Sequence, residues 1–311
     1  MAGEKQAQPY MPPNPFGVKQ EYWERIQNMR LLDDTFMTAA FDNNIEATQL
    51  LLRVIIEKAD LKVVSAKAQV EFKNLYGHSL RMDVDAVDDE DHKYDIEVER
   101  NRNRASPERL RYHSAIRDVN SLKPGQDFKE LPTSYIIFIT EEDYWGEGRP
   151  LYHASRKIKE NGRELGDRTH FIYVNGKYEG EDPIGLLMAD FRESDPAKMH
   201  YAELAKRVNA LKNSEEEVKK MCQAMEITYN EGLVEGRAEG RVEGRAEGYA
   251  RIIRRRMRRL GLSVAAAMDD LEIPEEDRQA CAEYMERQQE SEAVVDETCE
   301  SSNGTESLEK G

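Results

Sequence analysis

From Leu31 the apolar positions recur at a helical spacing. LLDDTFMTAAF and NNIEATQLLLRVIIEK predict a short helix, an Asn-Asn break, and a longer amphipathic helix reaching about Lys58. Asn43 stands as the N-cap of the longer one, with Glu46 three residues on. The period then falls to two. VVSAKAQVEFKNL predicts a strand, Gly77 a turn, LRMDVDAV (80–87) a second strand, and KYDIEVER (93–100) a third beyond the polar turn DDEDH. A helix is expected over 106–122, where Ser106 caps and Pro107 takes the first helical position. TSYIIFIT (133–140) is almost continuously apolar, as in a strand covered on both faces. An amphipathic stretch at 151–161 reads as helical, followed by a strand over 169–175 and a helix over 182–191. The order α-β-β-β-α-β, then α-β-α, predicts a three-layer α/β domain over 30–195 with a mainly helical C-terminal extension.

The flanks have a different texture. Residues 1–29 read as a polar, Pro-rich flexible leader, and 196–230 as a charged helical arm. Residues 231–250 repeat as EGLV-EGRA-EGRV-EGRA-EGYA, a four-residue period that drifts about 40° per repeat around an α-helix. A glycine in every repeat costs about 1 kcal/mol relative to alanine, so the segment is expected to be a weak linker helix. Its small-residue columns offer the alternative of close helix–helix contact, hence a homo-oligomer. Residues 251–288 open with six arginines in nine residues, a face that could grip phosphates or pair with the protein's own acids. Residues 289–311 read as an acidic, disordered tail.

Composition narrows the function classes. No apolar run is long enough for a membrane span, and the N-terminus lacks a secretory plan. The three cysteines, Cys222, Cys281 and Cys299, are widely spaced, which argues against a disulfide scaffold and for the cytoplasm. The net charge of -16 counts against strong non-specific binding to a polyanion, without excluding a local basic surface. No Gly-rich phosphate loop, Ser-His-Asp order or HExxH occurs.

The informative constellation lies on the second and third strands. Asp83 and Asp85 share a face with Arg81, and Asp95, Glu97 and Glu99 line one face of the next strand. Facing rows of carboxylates repel unless a cation intervenes, and a hard divalent ion with oxygen ligands would remove the cost. The same spacing fits the solvated face of an edge hairpin, so the pattern alone leaves both readings open.

These blocks, together with ERLRYHS, LPTSYIIFITEED, FIYVNGKYEGEDPIGLLMADF and the EGR repeat, make residues 30 to 250 resemble the PD-(D/E)XK nuclease superfamily. More narrowly, they look like its transposase-related branch of recombination-promoting nucleases. The resemblance implies a restriction-endonuclease-like core and Mg²⁺ (or Mn²⁺) held by Asp83 and Glu97, with the helix acid Glu46 nearby. Asp83, Glu97 and Glu99 would be catalytic, Glu99 standing where the superfamily has Lys and this branch commonly Gln. A carboxylate there can bind metal or take a proton but supplies no positive charge. Arg81, Arg109, Arg111, Tyr112, His113 and Arg117 are expected to seat DNA. The expected function is therefore a metal-dependent DNA endonuclease linked to recombination or a mobile element. The alternative is a weak or inactive nuclease fold acting as a DNA-binding or self-assembling module.

Overall fold

The computed structural model describes residues 14–72 and 79–288. The leader up to residue 13, the turn at Gly77 and the acidic segment from 289 lie outside them. The chain divides into two compact units, Met1–Met225 and Glu226–Gly311.

The first unit is built on a six-stranded mixed sheet of order β1-β2-β3-β4-β6-β5. Its strands are β1 (Val63–Phe72), β2 (Leu80–Asp88), β3 (Lys93–Glu99), β4 (Ser134–Thr140), β5 (Leu151–Ala154) and β6 (Thr169–Asn175). β1, β2 and β3 form an antiparallel meander, β3, β4 and β6 run parallel, and β5 closes the edge antiparallel to β6. Helices α1 (Gln20–Asn28), α2 (Asp34–Phe41), α3 (Ile45–Ile56), α5 (Pro183–Arg192) and α6 (Ala202–Asn213) share the larger core with Val84, Ile96, Ile137 and Val174. Helix α4 (Pro107–Ser121) covers the other face, where Leu110 packs with Ile136, Phe138, Phe171 and Tyr173. Alternate residues of β4 therefore enter different cores, which is why this strand reads as a continuous apolar run.

The β2–β3 register is pinned at its turn. Asp88 accepts hydrogen bonds from the Glu90 and His92 N–H groups and from the Tyr94 hydroxyl. This sets Asp85 opposite Asp95 and Val84 opposite Ile96. The alternation then breaks at Asp83. Gln69, in the facing stretch of β1, has a left-handed φ of 53°. Beyond it Leu80 and Met82 pack with Ile116 of α4, whereas Val84 and Ala86 belong to the opposite core.

Several expected boundaries shift. The cap of α3 is Asn44, whose side chain accepts from the Ala47 N–H, while Asn43 sits at φ 52° just before it. Residues 151–161 are not helical: Leu151–Ala154 form β5, and Lys157 then bridges to Glu164. The leader ends earlier than 29, because Trp23 and Ile26 of α1 are buried in the core. The expected arm is partly core as well, since Leu204, Val208 and Leu211 of α6 are buried. Lys212 is buried beside them, its ammonium donating to the carbonyls of Gln27, Met29 and Ser194.

Helix α7 (Glu215–Leu260) runs unbroken through the glycine repeat. An added Cβ at Gly232, Gly236, Gly240, Gly244 or Gly248 would meet nothing within 4 Å. Among the described residues the glycine columns thus make no close helix contact. In the second unit Ala246, Ala250 and Ile253 pack with Met268 of α8 (Val264–Asp270) and with Cys281 and Met285 of a helix over 275–288. Arg256 pairs with Asp270, and Arg245 with the buried Asp277 at 3.2 Å. Arg251, Arg255, Arg258 and Arg259 are exposed.

Candidate metal centre at a fork in the sheet

Strands β2 and β3 part company just past Val84 and Ile96, the last pair of their ladder. Two carboxylates fill the gap. The Asp83 N–H donates to Glu97 Oε1 at 2.9 Å, and the Val98 N–H donates to Asp83 Oδ2 at 3.1 Å. Each side chain takes over a ladder bond that the diverging strands no longer make, so no backbone donor is stranded. The fork therefore holds Asp83 and Glu97 by reciprocal side chain–backbone bonds.

On the α4 side, the acids of β3 meet one stripe of that helix. Ser106 accepts from the Arg109 N–H and starts the helix with Pro107 behind it. Arg109, His113 and Arg117 then recur every four residues on one face. Arg109 pairs with Glu97 at 3.0 Å and with Glu99. His113 Nδ1 lies 2.8 Å from Asp95 Oδ2 and 3.9 Å from Glu97 Oε1. Arg117 pairs with Asp85 and donates to the Tyr94 carbonyl at 2.7 Å. α4 thus supplies positive charge to Glu97, Glu99 and Asp85 through Arg109 and Arg117, and a hydrogen-bonding imidazole to Asp95 through His113.

Neutralisation is incomplete at the centre. Glu97 is held well above the usual carboxylate range, by burial first and then by the charges of Asp95 and Asp83. Asp83 is pushed up to about 6 by burial, against the Val98 hydrogen bond, with Asp34 and Asp95 adding to the rise. Burial also raises Asp85. Ligand atoms of Asp95, Glu97 and His113 lie within 4.8 Å of one another, and all three residues are buried. Asp95 Oδ1 and His113 Nε2 are buried without a hydrogen-bond partner. With Nδ1–H donating to Asp95, the free Nε2 of a neutral imidazole is a lone-pair acceptor. Oxygen and imidazole donors with unused lone pairs and raised acid pKa values fit a divalent cation, which would relieve both.

The sequence-predicted residues divide accordingly. Asp83, Glu97, Glu99 and Arg109 are brought together. Glu46 is not: it is exposed on α3 and pairs with Lys206 of α6 at 3.3 Å. The helix acid whose charge acts on Asp83 is instead Asp34, in the first turn of α2. His113 and Arg117, expected to seat DNA, are 0% and 4% exposed and turned onto Asp95 and Asp85, so neither presents a donor to an outside phosphate. Tyr112 packs against the Leu80–Met82–Ile116 cluster. Arg81 is exposed opposite Glu71 on β1. Of that set only Arg81 and Arg111 are fully at the surface. Arg100 turns the other way, to Asp33 and Glu141.

The sequence did not single out Asp95 as a candidate donor or Asp34 as a charge acting on the fork. Asp95 carried a readable signal, since it lies two residues before Glu97 on the same strand face. Asp34 carried none, because its approach to Asp83 depends on how α2 crosses the sheet. Compared with protein-family models, with curated proteins and with solved structures, the chain matches none of them.

Proposed function

We propose that the protein is a divalent-metal-dependent DNA endonuclease of the transposase-related PD-(D/E)XK type, with a restriction-endonuclease-like core, working in the cytoplasm. The observation that carries this reading is the fork, where Asp83 and Glu97 fill the gap between diverging strands and remain under-neutralised. Asp83 and Glu97 would hold Mg²⁺ or Mn²⁺, with Asp95 and His113 as further donors beside Glu97. A divalent ion bound there supplies Lewis-acid charge for phosphodiester hydrolysis and acidifies water. Glu99 is the proton acceptor for the attacking water, whose oxygen adds to phosphorus as the ester P–O bond breaks. Arg109 supplies the positive charge that a carboxylate at position 99 lacks, since its guanidinium reaches both Glu97 and Glu99.

The test is supercoiled plasmid incubated with Mg²⁺ or Mn²⁺. Nicking is expected in the wild type and lost in Asp83→Ala and Glu97→Ala; equal nicking by all three proteins would refute the assignment. One observation favours a second reading. Arg109 already occupies Glu97 and Glu99, as it would in an inactive nuclease fold that only binds DNA or self-associates. That reading wins if Glu99→Gln and Glu99→Lys also fail to cleave while DNA binding persists.

A further inference from the structure

The register places a second feature in line with Glu97. Glu97 pairs with Phe138 across β3 and β4, Phe138 with Tyr173 across β4 and β6, and Tyr173 with Tyr152 on the edge strand. Neighbouring strands lie about 4.8 Å apart, so Tyr173 stands roughly 10 Å from Glu97 on the same face of the sheet. There, beyond the edge of α4, opens a cleft of about 290 Å³. Its floor is Phe171 and Tyr173, one wall is Trp145, and the first turns of α4 form the other.

Three properties of the cleft point to one kind of occupant. Its aromatic surface is mostly apolar, yet Trp145 remains 45% exposed and turns its ring edge-on to Tyr173 at 82°. Arg111 and Arg156 stand on the rim, against a single acid, Glu108. Arg156 already lies over the Phe171 ring and is tied to Asp167, whereas Arg111 makes no hydrogen bond or ion pair among the described residues. Beside the cleft, Arg102 lies over Tyr144, which stacks on Tyr173. A flat aromatic ligand attached to a phosphate matches this combination of rings and an unpaired guanidinium.

We propose that this cleft takes an unstacked nucleobase of a strand whose backbone passes the fork. Trp145, 45% exposed, supplies the stacking surface, with the buried Tyr173 as the support its ring packs against, and Arg111 holds the neighbouring phosphate. The inference rests on the nuclease reading for its substrate, but its test does not require cleavage or metal. A base flipped out of a duplex, or present in a single strand, is recognised by stacking because every base has a π-face. The pocket thus predicts preference for single-stranded or locally opened DNA over a fully paired duplex.

The experiment uses the full chain in EDTA, so that the metal centre takes no part. Trp-selective fluorescence reads Trp145, because the only other tryptophan, Trp23, is 2% exposed. Saturable quenching by a single-stranded oligothymidylate is expected, and it should disappear in Trp145→Phe. A fluorescently labelled oligonucleotide should bind Trp145→Ala and Arg111→Ala roughly five- to tenfold more weakly than wild type. An abasic oligonucleotide of equal length should not quench. Absence of quenching by the oligothymidylate overturns the proposal, as does equal quenching by the abasic strand or unchanged affinity in both variants. Should plasmid nicking fail while quenching survives, the nuclease reading falls and the base pocket stands. Should nicking occur without quenching, the base pocket falls and the nuclease reading stands.

Discussion

Replacing Arg109 by methionine tests whether α4 neutralises the acids of the fork. The side chains of Glu97 and Glu99 are 0% and 8% exposed, and Arg109 bonds both. Removing one partner of a buried ion pair typically costs about 3–5 kcal/mol, because the remaining charge is left uncompensated. Arg109 is itself 33% exposed, so water can partly take its place and the lower end applies, about 3 kcal/mol. For a compact unit of this size that corresponds to a fall in Tm of roughly 6–12 °C. Urea unfolding in EDTA measures the loss. Repeated with saturating Mn²⁺, it should show the variant recovering more than the wild type gains, since a cation that binds the folded state stabilises it in proportion to RT ln(1 + [L]/Kd). A loss below about 1 kcal/mol would mean that the pair is screened like a surface ion pair. Equal metal stabilisation in both proteins would mean that arginine and metal do not compete for the same carboxylates. Either result refutes the role assigned to α4 as counter-charge at the fork.

Lys212→Met should destabilise the first unit by at least about 3 kcal/mol, because three backbone carbonyls lose a buried donor. Burial pulls the Lys212 ammonium down to about 8, below its ordinary 10.5, so between these values the unfolded chain holds the proton and the folded one does not. Wild-type stability should accordingly rise relative to Lys212→Met across that pH window, and a constant difference in urea midpoints would contradict the burial argument. Gly185→Ala should cost about 3 kcal/mol by thermal melting, because its Cβ would fall 1.8 Å from the Gly180 carbonyl oxygen at the start of α5. Gly236→Ala and Gly240→Ala should each stabilise α7 by about 1 kcal/mol and raise helical circular dichroism, since nothing stands within 4 Å of either added methyl.

The sequence by itself determined the strands and most of the helices, because those depend on local periodicity and caps: β2 and β3 by alternation, β4 by its unbroken apolar run, α4 by Ser106 and Pro107. It also placed Asp95, Glu97 and Glu99 on one strand face, since side-chain direction in a strand follows from counting by twos. Short-range pattern could not distinguish the edge strand β5 from a helix, four residues being too few to carry a period. What only the tertiary structure decided is the partner of each charge. His113 and Arg117 read as DNA-facing donors, and became buried partners of Asp95 and Asp85 because α4 lies along β3 in the register that sets them there. Glu46 pairs with Lys206 at the surface, and the helix acid whose charge acts on Asp83 is Asp34. Electrostatic energy depends on distances between residues remote in the chain and on the water excluded around them, and neither is written in the spacing of letters along one strand or one helix.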